Sequence, residues 1–231
     1  RFCRIFPLYF FSLAVFAMAA SWMNSSIQQK FGWLFGDPLP LWSYVLFLQN
    51  FVMSAQGTMG PHWLGITWSL AVEEQFYLIF PLFLLVAWRL GIRKVVALVI
   101  LGMVGSLGLS EWMSTRYGDA NFYLIPTRAW ELLLGTVAAF YLRSVQKSNT
   151  MPPHKFMQAF SIIGLFLLLY SVFAFDSSTR FPSIYAVVPT LGTALIIVFG
   201  QSGTFVGRLL STQVPVKIGL VSYSAYLWHQ P

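Results

Sequence analysis

The residues able to do chemistry cluster first in Trp68-Ser69-Leu70-Ala71-Val72-Glu73-Glu74-Gln75-Phe76-Tyr77, which runs straight into the apolar stretch Leu78 to Trp88. Two carboxylates, an amide and two hydroxyls therefore stand at the head of a segment that reads as a membrane helix. An ionisable group in hydrocarbon costs several kcal/mol, so it faces a protein interior or a wet cavity and marks a functional site. A carboxylate in that setting can orient a hydroxyl acceptor, shuttle a proton or hold a histidine in one tautomer. At roughly 100° per residue, Ser69, Glu73, Tyr77 and Phe80 share one stripe, and Glu74 turns away toward Leu70, Leu78 and Pro81. The plainer alternative for both glutamates is a cap on the helix start, where negative charge meets the positive end of the dipole.

Three other groups of polar residues interrupt apolar surroundings. Arg128 and Glu131 are spaced i, i+3 and can pair on one helix face, either to position a substrate or to make the helix insertable. Ser222, Tyr226 and His229 fall at i, i+4 and i+7 on one stripe with an imidazole at its end; His229 serves there as a base or as a hydrogen-bonded residue at the membrane interface. Arg1 and Arg4 stand where an anionic molecule arriving from the cytoplasm would meet a helix entrance, and guanidinium groups suit phosphate. His62 and His154 read as loop residues. Glu73, Arg128 and the Ser222 to His229 stripe are expected to face a common chamber.

The elements that position them are membrane spans. Of 231 residues 57% are hydrophobic and 9% charged, against roughly 25% charged in soluble domains, and the mean hydropathy is +0.69. The pattern predicts an all-α polytopic bundle of about seven spans plus one re-entrant or interfacial piece. The spans are Ile5 to Met23, Ser69 to Leu90, Val95 to Trp112, Ile125 to Leu142, Phe156 to Phe175, Ile184 to Gly200 and a last one from Ile218. Leu41 to Ser54 is apolar but too short to cross. In the third span Gly102, Gly105, Ser106 and Gly108 are small enough to permit close helix approach.

The formal charge of +7 does not point to nucleic acid. The basic residues fall singly or in threes between apolar runs, and Arg1/Arg4, Arg89/Arg93/Lys94, Arg143/Lys147/Lys155 and Arg208/Lys217 all lie on one side, the cytoplasmic one. One cysteine, Cys3, excludes an intrachain disulfide and a cysteine metal cluster. No metal-ligand spacing, dinucleotide fingerprint or phosphate-cradling glycine loop is present, so no bound metal is expected and a nucleotide-driven pump is not. Residues 1–231 read as a single integral-membrane domain, cut from a longer protein at both ends.

Four ordered blocks resemble acyltransferase family 3, the membrane enzymes that O-acylate bacterial surface polysaccharides. They are Arg1-Phe2-Cys3-Arg4-Ile5-Phe6-Pro7-Leu8-Tyr9; Trp68-Ser69-Leu70 with Glu73 and Phe76-Tyr77; Arg128 with Trp130-Glu131-Leu132; and Ser222-Tyr223 with Tyr226-Leu227-Trp228-His229. The resemblance implies about ten helices of membrane-crossing length in a multi-pass protein of the cytoplasmic (inner) membrane. It implies an acyl-CoA donor, most often acetyl-CoA, as co-substrate and not as bound cofactor, and transfer to a hydroxyl of a glycan or lipid-linked sugar. Arg1 and Arg4 match the family's paired cytoplasmic arginines and Glu73 its motif glutamate. The family's histidine would precede Arg1, so residues 1–231 are expected to be inactive alone. On this reading Glu73 and His229 are the catalytic candidates, and Arg1, Arg4, Trp68, Ser69, Tyr77, Arg128, Glu131, Ser222 and Tyr226 the binding ones. The rival is a transporter or flippase with Glu73, Arg128 and Glu131 lining a path, although the inverted repeats common in transporters are not evident.

Overall fold

The computed structural model describes residues 2–22, 30, 32, 34–36, 39–176, 178–201 and 203–229, the side chains of 2–4 excepted. Arg1 and the side chain of Arg4 thus lie outside the described residues. What is described is all-helical, with no strand among the described residues, and it divides into two compact units: residues 1–75 with 217–231, and residues 76–216.

The first unit is built on α1 (Phe2–Ser21), whose Tyr9, Leu13 and Phe16 are buried. Two short helices follow, α2 (Leu41–Val45) and α3 (Gln49–Gln56). At 1.5 Å per residue eight residues rise only about 12 Å, far less than the ~30 Å of a hydrocarbon core. Phe47 breaks the pair apart with φ of 55°, a left-handed conformation that costs a bulky residue about 1–3 kcal/mol. Its ring stacks on Tyr9 with centroids 5.0 Å apart, which helps hold it there. Gly57, at φ 63°, closes α3 with a left-handed cap. Through α4 (His62–Gly65) the chain enters α5 (Trp68–Ala87) already helical, and His62–Leu90 forms one long apolar stretch. The plainer alternative for the glutamates, a cap on the helix start, does not fit: the first turn of α5 holds no acidic residue, and Glu73 and Glu74 lie further inside. The last part of α12 (Gln213–Trp228) completes this unit.

The second unit begins with the tail of α5 and turns through Trp88–Leu90 and Gly91, whose φ of 83° suits glycine. It continues with α6 (Ile92–Met113), α7 (Gly118–Tyr123), α8 (Ile125–Ser148), α9 (His154–Ala174), α10 (Val187–Phe199) and α11 (Phe205–Leu210). Helices α6 and α8 run antiparallel, joined where Ser106 donates to the Pro126 carbonyl at 2.6 Å and accepts from the Trp130 amide at 3.0 Å. The glycines near Ser106 do not make this approach. A Cβ on Gly105 or Gly108 would meet nothing within 4 Å, and one on Gly102 only Leu133 at 3.5 Å. Backbones come closest between α9 and α10: a Cβ on Gly164 would stand 2.7 Å from the Gly192 carbonyl, and one on Gly192 2.8 Å from that of Gly164.

Three stretches are long and apolar enough to cross a membrane: His62–Leu90, Ile92–Met113 and His154–Ala174. Ile5–Ser21 and Ile184–Phe199 are apolar but shorter. Outward apolar side chains such as Val86 and Phe173, 77% and 85% exposed, suit contact with lipid. Within the second unit one end gathers the end of α6, α7, the start of α8 and the loop before α10, with the Ile184 amide donating to Glu111 Oε2 at 2.9 Å. At the opposite end Gln158 Oε1 accepts from the Phe205 amide at 2.9 Å.

Candidate functional site

The first unit holds a polar cluster buried between α1, α2, α3, the head of α5 and α12. Tyr226 sets one side of it. Its hydroxyl bonds both the Ile66 carbonyl and the Ser69 hydroxyl, the latter at 2.7 Å. A phenol has one proton, and a carbonyl can only accept. Tyr226 therefore donates to Ile66 and accepts from Ser69, which leaves Ser69 with lone pairs and no free proton. Ser69 and Tyr226 were both expected at the site, and the fold brings them into direct contact. Tyr223, one turn earlier on α12, donates to the Ile5 carbonyl of α1 at 3.1 Å, and the charges of Glu74 and Glu73 both act on its phenol. One of the Glu74 carboxylate oxygens is fully enclosed.

The other side is an amide network. Tyr9 donates to the Tyr44 carbonyl at 2.8 Å. Gln49 Nε2 reaches the Thr67 carbonyl at 2.9 Å, the Thr67 hydroxyl at 3.3 Å and the Tyr9 hydroxyl at 3.5 Å. Asn50 and Gln75 form a reciprocal amide pair, with Gln75 Nε2 donating at 2.8 Å and also reaching the Phe47 carbonyl at 2.7 Å. Gln49, Asn50 and Tyr44 are fully buried. None of these amides stood out by spacing. The signal that could have found them is the one applied to Glu73: adjacent amides, Gln49 and Asn50, in an apolar run too short to cross.

Other expected residues fall elsewhere. Ser222 is exposed and donates back to the Gly219 carbonyl at 2.8 Å, so the inward face of α12 is Tyr223, Tyr226 and Leu227, not a stripe of Ser222, Tyr226 and His229. His229 is exposed at the helix end, its Nδ1 2.7 Å from the Tyr226 carbonyl. Trp68 is half-buried at the start of α5, and Tyr77, 40% exposed, belongs to the second unit. His154, read as a loop residue, is the first residue of α9, its Nε2 3.0 Å from the Gly203 carbonyl.

In the second unit Arg128 and Glu131 pair as their spacing predicts, Nη1 to Oε1 3.0 Å, with side chains 11% and 25% exposed. The guanidinium also lies 4.8 Å from the Phe181 ring centroid, a cation–π contact strengthened by exclusion of water. Asn121 Nδ2 fixes this loop by donating to the Pro182 carbonyl at 2.9 Å. Glu131 heads an apolar groove of about 380 Å³ between α8 and α10, floored by Gly135, Ala138 and Ala139.

The described residues, all helical with three helices of membrane-crossing length and apolarity, have the character of an integral-membrane protein. The chain belongs to acyltransferase family 3, whose acyltransferase-domain profile matches residues 1–231. It is 29% identical over 249 residues to the peptidoglycan O-acetyltransferase OatA of Listeria monocytogenes, a match covering all of this chain and 38% of that protein. YrhL of Bacillus subtilis, provisionally named a peptidoglycan O-acetyltransferase, is 31% identical over 71% of this chain and 27% of its own length. A provisionally named O-acetyltransferase of Staphylococcus aureus strain COL is 31% identical over 70% of this chain and 28% of its own. The chain thus spans less than two fifths of the length of these relatives. No solved structure matches it.

Proposed function

We propose that residues 1–231 form part of the membrane machinery of an O-acetyltransferase of the cytoplasmic membrane that moves an acetyl group from acetyl-CoA to a sugar hydroxyl of peptidoglycan. The observation that carries this reading is the agreement of the family match along the whole chain with a buried polar cluster that includes three residues of its quoted blocks, Ser69, Tyr223 and Tyr226. In the reaction the acceptor O–H gives its proton to a base, the oxygen bonds the acetyl carbonyl carbon, and the thioester C–S bond breaks, the leaving sulfur taking the proton from the base to give the CoA thiol. Glu73 orients the acceptor or the histidine that takes this proton, and Arg1 and Arg4 bind the CoA phosphates. Tyr226 and Ser69 hold the head of α5 in register for that task. The further spans expected from the sequence, seven with a re-entrant 41–54 segment, belong to the same reading.

The test is incorporation of radiolabelled acetyl groups into peptidoglycan by the full-length protein. Glu73→Gln is expected to lower the rate by about 100-fold or more, the lower range of losses when a general acid–base group is removed, and Arg4→Ala to lower the rate at limiting acetyl-CoA about tenfold, a loss of about 1.4 kcal/mol of binding. Wild-type rates in both variants would discard this assignment.

A further inference from the structure

The groove of about 380 Å³ between α8 and α10 lies at membrane depth, because α8 packs along α6 and α10 along α9, both of membrane-crossing length. Its floor is open. Gly135 and Ala139 are exposed, and a Cβ on Gly135 would meet nothing within 4 Å. The polar residues of its wall are committed to their own helix: the Thr190 hydroxyl donates to the Ala186 carbonyl at 2.7 Å, and that of Thr193 to the Pro189 carbonyl at 2.9 Å. The groove is also narrow. From Glu131 to Leu142 it runs about 16 Å at 1.5 Å per residue, so its volume leaves a mean width of roughly 5 Å, half the 10–12 Å diameter of a helix. A hydrocarbon chain has that width; a helix of this or another chain does not. Charge distinguishes the two ends. Steps of four residues place Glu131, Gly135, Ala139, Arg143 and Lys147 on one face of α8, so the floor leads straight to two exposed cations. The other end carries the Glu131 carboxylate, already paired with Arg128, which repels a phosphate.

We propose that this groove binds one acyl chain of an anionic phospholipid, with the lipid phosphate at Arg143 and Lys147. A chain that leaves the bilayer for the groove exchanges one apolar surrounding for another, so close packing and headgroup charge decide occupancy. The narrow apolar channel supplies the first and the two cations the second. Once bound, the chain fills the gap between α8 and α10 and braces the helix that carries the Arg128–Glu131 pair. The site stands apart from the acyl-transfer reading and holds whichever substrate the protein acts on.

The experiment titrates the full-length protein, stripped of lipid in a neutral detergent, with radiolabelled dioleoylphosphatidylglycerol or dioleoylphosphatidylcholine. Lipid retained per chain and oligomeric state are both measured after gel filtration. The wild type is expected to bind phosphatidylglycerol about tenfold tighter than phosphatidylcholine. Gly135→Phe, whose ring occupies the open groove, is expected to retain about one phosphatidylglycerol fewer per chain. Gly135→Ala, too small to block the groove, is expected to match the wild type. Arg143→Gln/Lys147→Gln, which keeps polar side chains and removes both charges, is expected to weaken phosphatidylglycerol about tenfold and to abolish the preference between the two lipids. Where Gly135→Phe does not fold, the double variant decides. Unchanged retention in the folded variants overturns the proposal, as does equal binding of the two lipids by the wild type. A dimeric wild type that Gly135→Phe turns into a monomer with its lipid retained also overturns it and makes a second copy the occupant. Release of the bound lipid by millimolar CoA, with the variants losing CoA in its place, overturns it in favour of the thioester donor.

Discussion

Tyr226 commits its single proton to Ile66 and takes a second bond from Ser69, so the two residues are unequal. Tyr226→Phe removes both bonds and leaves the Ile66 carbonyl and the Ser69 hydroxyl short of partners, whereas Ser69→Ala leaves the Ile66 bond intact. A partner lost in a buried setting costs about 1–3 kcal/mol, and the rates should rank accordingly: acetyl transfer falls about tenfold or more in Tyr226→Phe and by a smaller factor in Ser69→Ala. Equal losses would mean that Ser69 itself touches the substrate. At the Arg128–Glu131 pair, Glu131→Leu takes the carboxylate away from a largely buried guanidinium and should lower the thermal midpoint of the detergent-solubilised protein. The double variant Arg128→Met/Glu131→Leu should restore part of that loss, because removing both members of a buried pair is cheaper than stranding one. The i, i+3 pair was legible because its geometry is local. The Ser69–Tyr226 contact was not, since 157 positions separate the two and nothing in either stretch names its partner. Gln49 went unnoticed because an uncharged amide raises no flag in a hydropathy profile.

The helices themselves were readable from the length of the apolar runs: Val95 to Trp112 is realised as Ile92–Met113, and Phe156 to Phe175 as His154–Ala174. Small residues proved a poorer guide. They show which helices are able to approach closely, but not which face meets a neighbour, and the third span's Gly105 and Gly108 face open space. The mutual fit of Gly164 and Gly192 gives the sharper prediction. Gly164→Ala or Gly192→Ala drives a methyl group into a backbone carbonyl and should cost about 1–3 kcal/mol by forcing α9 and α10 apart. Gly105→Ala and Gly108→Ala should be neutral or mildly stabilising, since alanine favours helix. Thermal unfolding of the four variants in one detergent checks the contrast; equal effects at all four positions would refute it.

For the molecule in its bilayer, the basic loops predict the sides. In a cysteine-free full-length background, single cysteines at Thr115 and Ser178 should react with a membrane-impermeant maleimide on intact cells, and those at Ser148 and Ser211 only after the membrane is opened. Labelling of Ser148 from outside would invert the proposed orientation.

The Tyr226–Ile66 bond closes a loop of 160 residues. A ribosome adding about 5–20 residues per second needs roughly 8–30 s to travel that distance, and throughout that interval the head of α5 already sits in the bilayer without its phenol latch. The contact that ties α12 to the head of α5 therefore forms only after the segment carrying Tyr226 has been made.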